Sequence, residues 1–168
     1  NGYAESDRLG GYDPYSSSKA CAEILTSSYV NSFFNLNDIK NHNTLVATAR
    51  GGNVIGGGDW SSDRLIPDIV RAIEQDEKIE IRSPKSVRPW QHVLDCLSGY
   101  ILLGEKLLNK ETKYTGAWNF GPINNEMISV EEIIAIASKY WSKLEVEFGN
   151  AELHETGMLQ LNCKKAIE

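Results

Sequence analysis

The chain has 168 residues, 41% of them hydrophobic and 24% charged, with a formal net charge of −6. That is ordinary for a soluble globular protein and enough for one domain or part of a larger one. The acidic balance excludes a surface that binds nucleic acid as a whole, so any anion site must be a local cluster of arginines.

Residues 1–12 read as loop, with Gly2, Gly10 and Gly11 among polar groups. Asp13-Pro14 predicts a helix start, a cap residue followed by proline at the first helical position. Ala20, Ile24, Leu25 and Tyr29 then recur at helical spacing to about Phe34. Residues 35–43 read as polar loop and 44–49 as a short buried strand. Residues 51–62 form a glycine-rich stretch of the kind that lets backbone approach a ligand. A helix is expected over 64–74, with Pro67 in its first turn, where proline is tolerated. A strand over 78–82 and a loop over 83–89 follow. Residues 92–108 predict a long amphipathic helix with Val93, Leu97, Tyr100, Ile101 and Leu107 as its inner stripe. A buried strand over 117–120 ends at Gly121-Pro122. Ser129-Val130-Glu131-Glu132 reads as an N-cap with acidic residues in the first turn, opening a helix to about Trp141. Residues 144–148 close as a strand. Alternating helices and short buried strands imply an α/β fold.

Cys21, Cys96 and Cys163 are isolated and odd in number, which argues against a disulfide framework and for a reducing compartment. Neither they nor the scattered His42, His92 and His154 have metal-ligand spacing, so no metal site is expected. No apolar run approaches the ~18 residues of a membrane span. Trp90, Trp118 and Trp141 are assigned to the core, because large aromatics mostly serve burial. Trp60 sits in a loop, where a lid role is open to it. His92, at a helix start, is assigned a structural hydrogen bond.

The chemistry concentrates at Tyr15-Ser16-Ser17-Ser18-Lys19. A spacing of four puts Tyr15 and Lys19 on one helix face, one turn apart. A tyrosine normally loses its proton near pH ~10, and a neighbouring ammonium favours the phenolate. The pair can therefore serve as a general base for an alcohol or sugar hydroxyl.

Four further segments follow in order: Arg50-Gly51-Gly52-Asn53-Val54-Ile55-Gly56, Asp63-Arg64-Leu65-Ile66-Pro67, Arg88-Pro89-Trp90-Gln91-His92-Val93 and Trp118-Asn119-Phe120-Gly121-Pro122. In this order and at these spacings the chain resembles the extended short-chain dehydrogenase/reductase family, from about Gly10 to its C-terminus. The resemblance implies the C-terminal part of a Rossmann-type parallel sheet with a smaller α/β substrate-binding lobe. Residues 1–53 and 92–122 would belong to the sheet domain, and 54–91 and 123–168 to the lobe. The family's glycine-rich nucleotide loop is expected upstream of Asn1, and both ends read as cut points, so the isolated chain is expected to be inactive.

The implied activity is an NAD-dependent 4,6-dehydration of a nucleotide sugar, CDP-glucose, in the cytoplasm, by a protein that is a homo-oligomer at full length. Tyr15 and Lys19 would be both catalytic and cofactor-binding. Asn53 is either a turn asparagine bonding its own backbone or a contact to the sugar-pyrophosphate, which the motif favours. Arg64 and Arg88 stand where relatives place cationic or amide groups on the substrate diphosphate, a task suited to arginine's charged, often bidentate bonds. Arg82 stands where relatives offer an aromatic ring to the base; it is either a planar guanidinium that stacks there or a plain surface arginine. Two other readings share these residues: an epimerase or another dehydratase of the same family, and a non-catalytic sugar-nucleotide-binding module.

Overall fold

The computed structural model describes residues 2–122, 128–149 and 157–168. In chain order its elements are α1 (Pro14–Phe33), a 3₁₀ turn (Leu36–Asp38), α2 (Ile39–His42), β1 (Ala47–Gly51), β2 (Asn53–Ile55), α3 (Leu65–Gln75), β3 (Ile79–Ile81), β4 (Val87–Arg88), β5 (Trp90–His92), α4 (Val93–Leu108), a second 3₁₀ turn (Thr112–Tyr114), β6 (Gly116–Phe120), β7 (Ile128–Ser129), α5 (Val130–Tyr140), β8 (Val146–Phe148) and α6 (Lys164–Ile167). Strands pair as β1 with β6, β2 with β5 and β3 with β8, all parallel, and β4 with β7 antiparallel. Among the described residues no helix is long and apolar enough to cross a membrane.

The helix starts follow local chemistry. The Asp13 carboxylate accepts from Ser16 N at 3.0 Å while Asp13 N donates to Ser16 Oγ at 3.3 Å, a reciprocal capping box ahead of Pro14. Ser129 and Glu132 close the same box on α5, with Ser129 N donating to Glu132 Oε2 at 2.7 Å. His92 Nδ1 accepts from Leu94 N at 3.2 Å and caps α4, which is the structural role expected of it.

Four segments depart from expectation. The polar stretch 35–43 is not plain loop, because the Asn35 side chain accepts from Asn37 N and starts two short helical turns that Asn43 ends at φ 51°. The first strand lies later, at β1, where its parallel partner sets the register from Ala47↔Gly116 to Gly51↔Phe120. The stretches 51–62 and 83–89 contain β2 and β4, short strands whose partners lie far along the chain. Gly52 permits the step from β1 to β2, since a Cβ there would fall 2.5 Å from the Pro89 carbonyl oxygen.

One apolar core lies between α3, β3 and α5. Ile69, Ala72, Ile79, Ile81, Ile134 and Ala137 are buried, with Leu65, Ile66, Ile73, Val130, Leu144 and Val146 packed around them. The β1–β6 pair is finished differently. Trp118 is buried and its Nε1 donates to Tyr114 O at 2.8 Å. Asn119 is 1% exposed, and its Nδ2 donates to Tyr3 O at 2.9 Å and Asn162 O at 3.1 Å. Its backbone N donates to Glu5 Oε1 at 2.9 Å, so one side chain on β6 ties both ends of the chain to the sheet.

The expected inner stripe of α4 needs correction. Cys96 and Leu103 are the buried residues of this helix, while Leu97 and Ile101 are exposed. Periodicity locates an apolar face, but the strand pair covers only the side on which Gly99 meets the Phe120 ring. Trp141, expected in the core, is likewise exposed, because it falls just past the end of α5. Trp90 is half-buried, with Nε1 donating to Ile128 O at 3.0 Å.

Candidate active site

Tyr15 and Lys19 occupy the first two turns of α1. Lys19 Nζ lies 5.2 Å from the centroid of the Tyr15 ring, and Tyr15 is 70% exposed. The capping box places both groups, because it fixes where the helix begins and so which face they share. A phenol and an ammonium presented together can hold a hydroxyl and move its proton. Tyr100 is no rival base: burial, with Cys96 beside it, pushes its hydroxyl up to about 12.

Asn53 opens β2. Its backbone N donates to Pro89 O at 3.0 Å, and it pairs with Trp90. Arg88 stands two residues before Trp90, in β4, where its Nη1 donates to Val87 O at 2.9 Å. Backbone pairing thus brings Asn53 and the Arg88 segment together across 35 positions of sequence.

Arg64 and Arg82 form a second group. Arg64 immediately precedes α3 and pairs with Asp59 at 3.5 Å, and Arg82 pairs with Asp63 at 3.6 Å. The loop between Asp59 and Asp63 therefore links them, and a diphosphate bound there would have to displace those carboxylates. The loop is itself held. Asp59 Oδ1 accepts from Ser61 N at 3.0 Å, a bond that keeps its carboxyl below the usual range. Trp60 at its tip is exposed.

Two contributors escaped the sequence reading. Arg71 donates to Trp60 O at 2.8 Å and Ser61 O at 3.2 Å and pairs with Asp68, stapling the loop to α3. Its signal was slight, a lone arginine inside a helix. Glu23, one turn beyond Lys19, accepts from Arg50 Nε and Nη2, each at 2.9 Å, and from Thr48 Oγ1 at 2.9 Å. The Arg50 bonds hold its carboxyl below the ordinary range against the opposing effect of burial, and Glu23 in turn raises Arg50. The spacing 15, 19, 23 and the arginine opening the 50–56 motif were its visible signals. His154 and the stretch around it lie outside the described residues.

Parallel strand pairs crossed by helices, with a Tyr-x-x-x-Lys pair at the start of α1, define a Rossmann-type α/β protein of the extended short-chain dehydrogenase/reductase kind. The chain belongs to the NAD dependent epimerase/dehydratase family, whose model matches residues 2–121. It is 46% identical over 167 residues to a CDP-glucose 4,6-dehydratase of Salmonella typhimurium, a match that takes in 98% of this chain and 46% of that relative. The chain thus spans about half the length of the curated relative it matches. Solved structures agree on the fold. A dTDP-glucose 4,6-dehydratase from Bacillus anthracis in complex with NAD superposes with a TM-score of 0.75 at 22% identity, over 99% of this chain and 48% of that one. A UDP-glucuronic acid 4-epimerase from Bacillus cereus, in complex with UDP-glucuronic acid and NAD, does so with a TM-score of 0.78 at 19% identity, over 99% and 49%.

Proposed function

We propose that the chain is part of a nucleotide-sugar 4,6-dehydratase that converts CDP-glucose to CDP-4-keto-6-deoxyglucose and water, using bound NAD. The observation that carries this is the 46% identity to a CDP-glucose 4,6-dehydratase across 98% of the chain, with Tyr15 and Lys19 intact and side by side on α1.

The donor set fits one end of the cofactor. Lys19 and Tyr15 are open to solvent on one face and can hydrogen-bond a nicotinamide ribose. The glycines at 51–52 and 56–58 do not have the spacing of a pyrophosphate-cradling loop, so this chain is assigned the nicotinamide end alone. NAD, when bound, supplies reversible hydride acceptance. Tyr15 takes the proton from the sugar 4-hydroxyl, and Lys19 orients that hydroxyl group and the ribose. Asn53 and Arg88 hold the sugar-pyrophosphate from the β2–β5 side. Arg64 and Arg82 meet the diphosphate and base from beside the 59–63 loop. In this reading residues 1–53 and 92–122 are nucleotide-domain structure, and 54–91 with 123–168 form the substrate lobe. The setting is the cytoplasm, where the product would feed deoxysugar synthesis for polysaccharide, in keeping with three cysteines none of which is in a disulfide.

The test is Tyr15→Phe in the whole protein. Turnover of CDP-glucose should fall at least ~10²-fold, the scale of general acid–base catalysis, with NAD binding kept. Product identity by NMR separates a 4-keto-6-deoxy sugar from an epimer. A variant that turns over like wild type would remove Tyr15 from the chemistry.

A further inference from the structure

Within this chain the helix that carries Tyr15 and Lys19 has little apolar anchorage. Of its 20 residues only Ala20 is buried, while Ile24, Leu25, Tyr29 and Phe33 are all exposed. Within this chain the contact that joins α1 to β1 through side chains is what fixes its roll against the sheet. The tie that does so is polar. Arg50 grips both oxygens of Glu23 in a planar fork, and Thr48 adds a third bond, all at 2.9 Å. The two side chains are mostly shielded, 23% and 18% exposed, so the pair is not a loose surface contact. A bidentate guanidinium–carboxylate pair constrains orientation as well as distance.

Its position in the chain gives the tie a wider reach. Tyr15, Lys19 and Glu23 succeed one another at four-residue steps along one side of α1. Thr48 and Arg50 lie on β1, and Asn53 follows Arg50 by three residues. The fork therefore joins the helix bearing the proton-transfer pair to the strand that leads into the sugar-contacting asparagine.

We infer that Glu23 is a positioning residue, whose fork to Arg50 sets the roll of α1 so that Tyr15 and Lys19 face the reacting sugar carbon while Asn53 holds the substrate. This rests on the dehydratase reading above and deepens it. The leverage is large. A group at the rim of a helix sits about 5–6 Å from its axis, so a roll of about 10° displaces it by about 1 Å. A misplacement of that size can cost about 10²-fold in rate.

The experiment compares Glu23→Gln, Arg50→Gln and their double variant with Tyr15→Phe in the NAD-loaded whole protein. Each single Glu23 or Arg50 variant should lose at least ~10-fold in kcat, with KM for CDP-glucose and NAD affinity within about threefold of wild type. The double variant should lose no more than the worse single one, because both remove one tie. Arg50→Lys, which keeps the charge without the fork, should recover only part of the rate. Hydrogen exchange gives a readout that needs no turnover: residues 15–23 should exchange at least ~10-fold faster in Glu23→Gln. Wild-type kcat in Glu23→Gln with Tyr15→Phe inactive would overturn the positioning role and leave the dehydratase reading standing. Full turnover in Tyr15→Phe would instead overturn that reading. Unchanged exchange over 15–23, or a lowered Tm with unchanged kcat, would reduce the Glu23–Arg50 pair to plain scaffold.

Discussion

The region built from α3, β3, α5 and β8 and the region built from α1, β1, α4 and β6 solve the same packing problem in different ways. The first turns its apolar residues inward, and Ile69 at its centre is completely buried. The second buries Ala20, Cys96, Leu103 and Trp118 but leaves Ile24, Leu25, Phe33, Leu94, Ile101 and Leu108 in solvent. To that burial and the β1–β6 ladder it adds directed polar ties: Glu23 with Arg50, and Asn119 with Glu5, Tyr3 and Asn162. Apolar burial is non-directional and stabilises whatever it covers, whereas forked and multiply bonded polar groups specify orientation. The region that carries Tyr15 and Lys19 is the one that adds the second device.

The same substitution on two helices gives the sharpest contrast. Ile69→Ala on α3 should cost about 2–5 kcal/mol, the usual range for emptying a filled core site, read from urea unfolding. A value near zero would mean that the α3–β3–α5 core is not what holds that region together.

Acid should act on the other region. Glu23 has its carboxyl below the ordinary value of 4.5 because Arg50 bonds its charged form. A lowered folded-state value means that the pair's contribution is fully present above about pH 4.5 and fades as pH falls through that lowered value. The stability gap between wild type and Glu23→Gln should therefore be widest near neutrality and close as the solution is acidified through that lowered value. A gap independent of pH would show that the carboxylate charge contributes nothing.

The smallest effect completes the comparison. Ile101 on α4 is 71% exposed, so Ile101→Ala should change stability by less than about 0.5 kcal/mol in this chain. A loss comparable to that of Ile69→Ala would mean the outward face of α4 is covered in solution.

Much of this was legible in the sequence, and the reasons differ by residue. The start of α1 was written in Asp13-Pro14, and that of α5 in Ser129 with Glu132, because capping is settled within four residues. Tyr15 and Lys19 were placed on one face by spacing alone. The motif order named the family that the model over residues 2–121 and the 46% identical relative bear out. Which side of α4 is buried was not legible, since an apolar face does not say what lies opposite it. β2 and β4 were hidden as loops, because strands of two or three residues exist only through distant partners.

By itself, then, the amino-acid sequence determined helix starts, the α/β class and the placing of Tyr15 and Lys19 on one helix face, mostly through residues within a turn or two of one another. Tertiary structure alone decided that Glu23 meets Arg50 across 27 positions, that Asn53 lies beside the Arg88 segment, and that Arg64 and Arg82 share one loop. Those contacts depend on strand register and helix roll, which arise only when segments far apart in the chain compete for the same space.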